Sequence, residues 1–153
     1  MFDVFLVGLV AALRSPVVPV SVQDAISSSV EAQVAYVPTT SPAGYHYVRW
    51  MRARTRPRAL TILFRWHRSR YPGLGFTVAE GCPKVGGAMR LFRFGRVSVR
   101  WSTTYTDAQA WRCVQRDGRQ MSFYVSAPGY GLAGSPSPRS LALMVAGARA
   151  LRR

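Results

Sequence analysis

The sequence predicts an α+β domain: an antiparallel sheet of about five strands, a C-terminal helix packed on one face, and an N-terminal helix or signal segment ahead of both. Three observations lead there. Between residues 45 and 127, short segments alternate apolar and polar side chains at period two and are separated by turns rich in Gly, Pro and Asp. The last seventeen residues change to a helical period. No strand pattern alternates with a helical one, so a parallel βαβ sheet is not expected.

The chain begins with an apolar run, Met1 to Leu13, broken only by Asp3 and stopped by Arg14 and Pro16. A membrane-spanning helix needs about 20 residues, so this run is too short to span and suits the apolar region of a signal peptide. No basic residue precedes it, Asp3 has the wrong sign, and the nearest small-residue cleavage pattern, Val30-Glu31-Ala32, lies far downstream. A packed N-terminal helix and a peripheral membrane attachment are the competing readings. Residues 1–32 are therefore assigned to a leader or N-terminal helix with its linker, and residues 33–153 to one domain. Within the linker a short helix is expected around Asp24 to Gln33. Pro38 and Pro42 then keep the chain extended, Gly44 permits a turn, and Tyr45 to Trp50 begin a strand.

In ALTILFRWH, Leu60, Ile62, Phe64 and Trp66 share one face, opposite Thr61, Leu63, Arg65 and His67. YPGLG turns the chain into FTVAEG, and KVGGA connects onward. MRLFRFGRVSVRWSTTY holds two strands around Gly95, the second with Val97, Val99 and Trp101 on one side and Ser98 and Arg100 on the other. AQAWRCVQ and QMSFYVSA flank an Asp-Gly dipeptide and read as a hairpin, with Met121, Phe123 and Val125 on one side. Trp101 and Trp111 are both expected on the apolar sides of their strands. Finally Ser137 is placed to cap a helix with Pro138 in its first turn. Leu141, Met144, Val145 and Ala148 form its apolar stripe, and Arg149, Arg152 and Arg153 lie at its C-terminal end.

Three short stretches carry a resemblance. Pro42, Gly44, Tyr45, Tyr47 and Trp50, then Ala110 to Val114, then Ser137 to Val145 follow a pattern P-x-G-Y-x-Y-x-x-W, A-W-R-C-V and S-P-x-S-L-A-x-M-V that is similar to small exported bacterial domains of unknown function. The resemblance implies export and brings no catalytic residue with it.

Charge is the outlier of the composition. The 153 residues hold 21 Lys plus Arg, of which only Lys84 is lysine, against six acids, for a net charge of +15. A GC-rich genome accounts for arginine over lysine but not for the missing carboxylates. Such a field favours an anionic polymer or membrane surface, with nucleic acid as the alternative partner. Eight arginines fall within residues 49–70. The candidate contacts are Arg49, Arg52, Arg54, Arg56 and Arg58 around one turn, and Arg68 and Arg70 at the next. Trp50, Tyr71 and Tyr124 are the aromatic side chains expected to be exposed, and they are scattered along the chain.

The same residues argue against catalysis. His46 and His67 are the only imidazoles, and a secreted nuclease would use them as acid and base with Glu80 nearby. No spacing joins them, and scattered acids offer no carboxylate pair. GCPKVGG and PGYGLAG match neither phosphate-binding glycine pattern. Two cysteines and two scattered histidines give no metal set, and no cofactor or small-molecule ligand is expected. An even cysteine count fits one Cys82–Cys113 disulfide in an exported chain. The expected role is a non-catalytic envelope or extracellular domain with a basic surface; an intracellular nucleic-acid-binding module using residues 49–58 is the alternative, and the secreted nuclease the most distant reading.

Overall fold

The computed structural model describes residues 15–70, 73–84, 89–104, 106–129 and 134–152. The expected leader, Met1 to Leu13, lies outside them, as do Tyr71 and Arg153. The elements run α1 (Val20–Ser29), β1 (Tyr36–Val37), β2 (Tyr45–Ala53), β3 (Ala59–Trp66), β4 (Leu74–Glu80), β5 (Arg90–Phe94), β6 (Val97–Thr103), β7 (Asp107–Arg116), β8 (Arg119–Pro128), α2 (Pro138–Ala146) and β9 (Arg149–Ala150). The α+β class and the antiparallel sheet with a C-terminal helix hold. The expected five strands become seven in one sheet, ordered β2-β3-β4-β8-β7-β6-β5, with β1 and β9 forming a second, two-stranded sheet. Neighbouring strands in both sheets pair antiparallel.

One face of the large sheet makes the core. Leu60, Ile62 and Phe64 on β3 pair with Val78, Phe76 and Leu74 on β4, and the row continues through Phe123 and Val125 on β8 to Ala110 on β7. All are almost completely buried. Each large side chain taken out of water there stabilises the fold by about 1.5–3 kcal/mol. Helix α2 lies across β5 to β8 on this face and contributes Leu141, Ala142, Met144 and Val145. Its start is as expected: the Ser137 hydroxyl accepts the Ser140 N–H at 3.2 Å, and Pro138 opens the first turn.

Its end is not. The helix stops at Ala146, capped by Gly147. There the Thr39 hydroxyl donates to the Gly147 carbonyl at 2.8 Å, and Arg149–Ala150 leaves to pair with β1. Ala148 therefore sits outside the helix, and Arg149 and Arg152 do not form its C-terminal turn. A two-residue pairing has too little pattern to oppose a helical stripe that continues on paper, but the long-range ladder wins.

The beginning of the domain also shifts. The helix expected over Asp24–Gln33 occupies Val20–Ser29, opening at Pro19. Val18, Ile26 and Val30 belong to the same core as the sheet, so the packed unit starts well before residue 33. Cleavage after Ala32 would remove all three.

The Asp117–Gly118 hairpin turn has φ of 52° and 72° at its two central residues, the left-handed pair that an Asp-Gly dipeptide supplies at least cost. At the two sheet margins, β2 and β5 have no outer neighbour among the described residues, and both carry exposed arginines, Arg49 and Arg52 on one, Arg90 and Arg93 on the other.

Candidate functional site

The second face of the sheet carries no helix among the described residues. Register places Arg49 and Met51 of β2 there, then Thr61 and Leu63, Gly75 and Thr77, Ser122, Tyr124 and Ser126, Gln109 and Trp111, Ser98 and Arg100, and finally Leu91 and Arg93 of β5. The middle is a band of small polar side chains, including the hydroxyls of Thr61 and Thr77, which hydrogen-bond to each other at 3.0 Å. Asp107, at the start of β7, is the carboxylate that shares this face.

One segment crosses it. Gly81 continues the β4–β8 ladder, its N–H donating to Gln120, and its φ of 84° turns the chain out of the sheet in a conformation glycine adopts freely. Cys82 then forms a disulfide with Cys113 of β7, with Cα atoms 5.8 Å apart. Cys113 faces Ser122 on the intervening strand β8, so the bridge spans β8 and ties a strap over the open face. Both cysteines are exposed. The expected pairing is thus present.

A cleft lies on each side of the strap. The first, about 510 Å³, is lined by Thr77, Ala79, Pro83, Lys84, Thr104, Gln109, Ser122 and Tyr124. The second, about 550 Å³, is lined by Cys82, Leu91, Arg96, Ser98, Arg100, Trp111, Arg112 and Cys113. Both volumes lie in the range usual for ligand sites. Strand alternation points the Arg112 side chain to the helix face, so Arg96 and Arg100 supply the positive charge of the second cleft, with Arg93 beside Ser98 at its rim. Among the described residues none of Arg93, Arg96 and Arg100 makes an ion pair or a side-chain hydrogen bond. Burial raises the Tyr124 phenol above its ordinary value; the charge of Asp107 adds to this and a hydrogen bond with Ser126 opposes it. The phenol is therefore neutral and able to donate at physiological pH.

The candidates read from sequence are distributed differently. Arg49 lies on the open face opposite Leu63, and Arg52, Arg54 and Arg56 are exposed around the β2–β3 hairpin. Arg58 is occupied: its side chain pairs with Glu31 at 3.4 Å and its N–H donates to Glu80. Arg68 sits over the Trp66 ring at 5.9 Å, and Arg70 is exposed, both at the opposite end of β3 from the hairpin. Trp50 is not an exposed aromatic; it pairs with Ile62 and packs on the core. Trp111 is not on the apolar side either. It pairs with Tyr124 and Arg100 on the open face, yet is only 2% exposed.

His46 and His67 lie at one end of β2 and β3, both exposed. Glu80 lies at the far end of β4, about 23–30 Å away at the rise of an extended strand. The three do not form one site. Among the described residues no group of three or more metal-ligating side chains comes together, and no helix is long and apolar enough to cross a membrane.

The residues that sequence reasoning missed are those of the two clefts, above all Thr77, Lys84, Arg96, Gln109 and Ser122. Thr77, Gln109 and Ser122 show a faint signal as polar residues at alternate positions of three strands, whereas Lys84 and Arg96 lie in connections where no periodicity speaks.

No protein-family model matches the chain, and no curated protein matches it. Among solved structures, a chain described as "Crystal structure of MucB in complex with MucA(peri)" is similar at 14% identity with a TM-score of 0.42, over 78% of this chain and 38% of that one. The chain thus spans well under half the length of that neighbour.

Proposed function

We propose that this is a non-catalytic binding domain of an oxidising, extracytoplasmic compartment, and that its open sheet face engages an anionic polymer. The observation that carries the reading is the open face itself. Among the described residues it carries no helix and its Arg93, Arg96, Arg100 and Lys84 make no ion pair; it is crossed by a disulfide-anchored strap and flanked by two clefts. The bridge supports the compartment, because disulfides persist where thiols are not kept reduced. The excess charge supports the partner: at +15, a polyanion gains from long-range attraction before any contact forms.

Binding of the full chain to an immobilised acidic polysaccharide, to polyphosphate, to anionic vesicles and to a neutral dextran tests this. Affinity for the polymers is expected to fall linearly on a log–log salt plot, and changing Arg93, Arg96 and Arg100 together to Gln is expected to reduce the slope. The same binding lost only on changing Arg52, Arg54 and Arg56 would move the contact to the hairpin and favour nucleic acid. Vesicle binding without polymer binding would replace the polymer by a membrane surface. RNA cleavage that disappears in His46→Ala or His67→Ala would overturn the non-catalytic reading.

A further inference from the structure

The two clefts differ in chemistry, and the difference narrows the ligand. The strap separates a hydroxyl-and-amide side, with Thr77, Gln109, Ser122 and Tyr124, from a guanidinium side, with Arg96 and Arg100. A polymer that offers charge alone would use only the second. The first is suited to a ligand rich in neutral donors and acceptors, with Ala79 and Pro83 providing apolar patches between the polar groups.

Ser102, on β6 directly opposite Gln109 and on the same face, is 4% exposed, lines neither cleft, and its hydroxyl has no hydrogen-bond partner among the described residues. Such a group costs stability and is closed to the ligand. Stacked bases are not favoured. Trp111 is almost fully covered, so it presents no ring face, and single-strand binders depend on such faces.

We infer that the paired clefts form one site for an acidic oligosaccharide, its carboxylates against Arg96 and Arg100 and its neutral hydroxyls against Gln109, Ser122 and Tyr124, with the chain passing beside the Cys82–Cys113 strap. This rests on the polyanion reading above and adds that the ligand's hydroxyls, not only its charge, are read. Lys84, on the strap, adds a cation to the hydroxyl side, so acidic groups at intervals along the sugar meet positive charge on both sides of the bridge.

Titration calorimetry on the full chain tests it with three probes: a short oligogalacturonate, a maltooligosaccharide of matching length, and polyphosphate of matching charge. The oligogalacturonate is expected to bind more tightly than polyphosphate at equal salt, and the neutral sugar about tenfold or more weakly than either. Arg96→Gln with Arg100→Gln should weaken both charged probes by about tenfold or more. Gln109→Ala with Tyr124→Phe should weaken the oligogalacturonate alone; Gln109→Ala by itself serves if the double variant does not fold. Equal binding of polyphosphate, or no loss for the sugar in the Gln109 variants, would overturn the hydroxyl readout and leave the polyanion reading standing. Arginine variants that bind the oligogalacturonate normally would place its site elsewhere and overturn the inference. No binding of either charged probe would remove both readings together.

Discussion

Replacing Cys82 and Cys113 together with serine opens a loop whose ends are 31 residues apart in sequence. In the chain-entropy treatment, closing a loop of that length removes about 12 cal/mol/K from the unfolded ensemble, so the bridge contributes about 3.7 kcal/mol at 25 °C. Domains of this size have total stabilities of about 5–15 kcal/mol, so the loss would be a quarter or more of the whole. At about 2–4 °C per kcal/mol, the midpoint of thermal unfolding should fall by roughly 7–15 °C. Paired urea and thermal denaturation of the wild-type chain, the reduced wild-type chain and the double serine variant measures it. The last two should coincide, because the bridge lies on the surface and its sulfurs fill no core space. A change below about 1 kcal/mol, or two reactive thiols in the untreated native protein, would refute the reasoning.

Ile26→Ala, at a position with no exposed surface, should cost about 2–5 kcal/mol by equilibrium denaturation; near-zero cost would mean that α1 is not part of the core. Ser102→Ala removes a buried hydroxyl that has no partner and should leave stability unchanged or raise it by up to about 1 kcal/mol in a urea titration. Burial raises the Tyr45 phenol above its ordinary value of 10.0, and the neutral phenol donates to the Gly134 carbonyl at 2.8 Å. The folded state thus holds this proton more tightly than the unfolded state does. The contribution is complete below pH about 10 and is lost as pH rises through the folded value. Tyr45→Phe should therefore flatten the fall in stability above pH about 10, followed by chemical denaturation at each pH.

Much of the sheet was legible because local chemistry and tertiary order agreed. Leu60, Ile62 and Phe64 alternate cleanly, Asp117–Gly118 specifies its own turn, and Ser137–Pro138 marks a helix start. The failures occur where distant partners decide. Arg149–Ala150 is a strand only because Tyr36–Val37 lies beside it, and α1 is a helix although it is rich in serine and valine, because Ile26 has a core to enter. The site was illegible for a related reason. Thr77, Ser122, Gln109 and Arg100 belong to four strands whose spatial order is β4, β8, β7, β6 rather than their order along the chain. Alternation says which side chains share a face, not which strands become neighbours. Trp111 shows the limit from the other side: it is buried, as an apolar side chain should be, yet on the open face rather than on the apolar side expected for it.

The arginines on β2 and β5 have a consequence for colloidal behaviour. An unpaired strand edge is a template for another copy of itself, and here two copies approaching edge to edge bring like charges together. Solubility of the free protein is therefore favoured by the same guanidinium excess that the proposed polyanion binding would use. A long acidic chain covered by bound protein cancels that repulsion. Turbidity should peak near charge equivalence and clear again when either component is in excess, since a surplus of one sign restores mutual repulsion. Free in solution the charged edges oppose contact between copies; on the proposed polyanion that opposition would be neutralised.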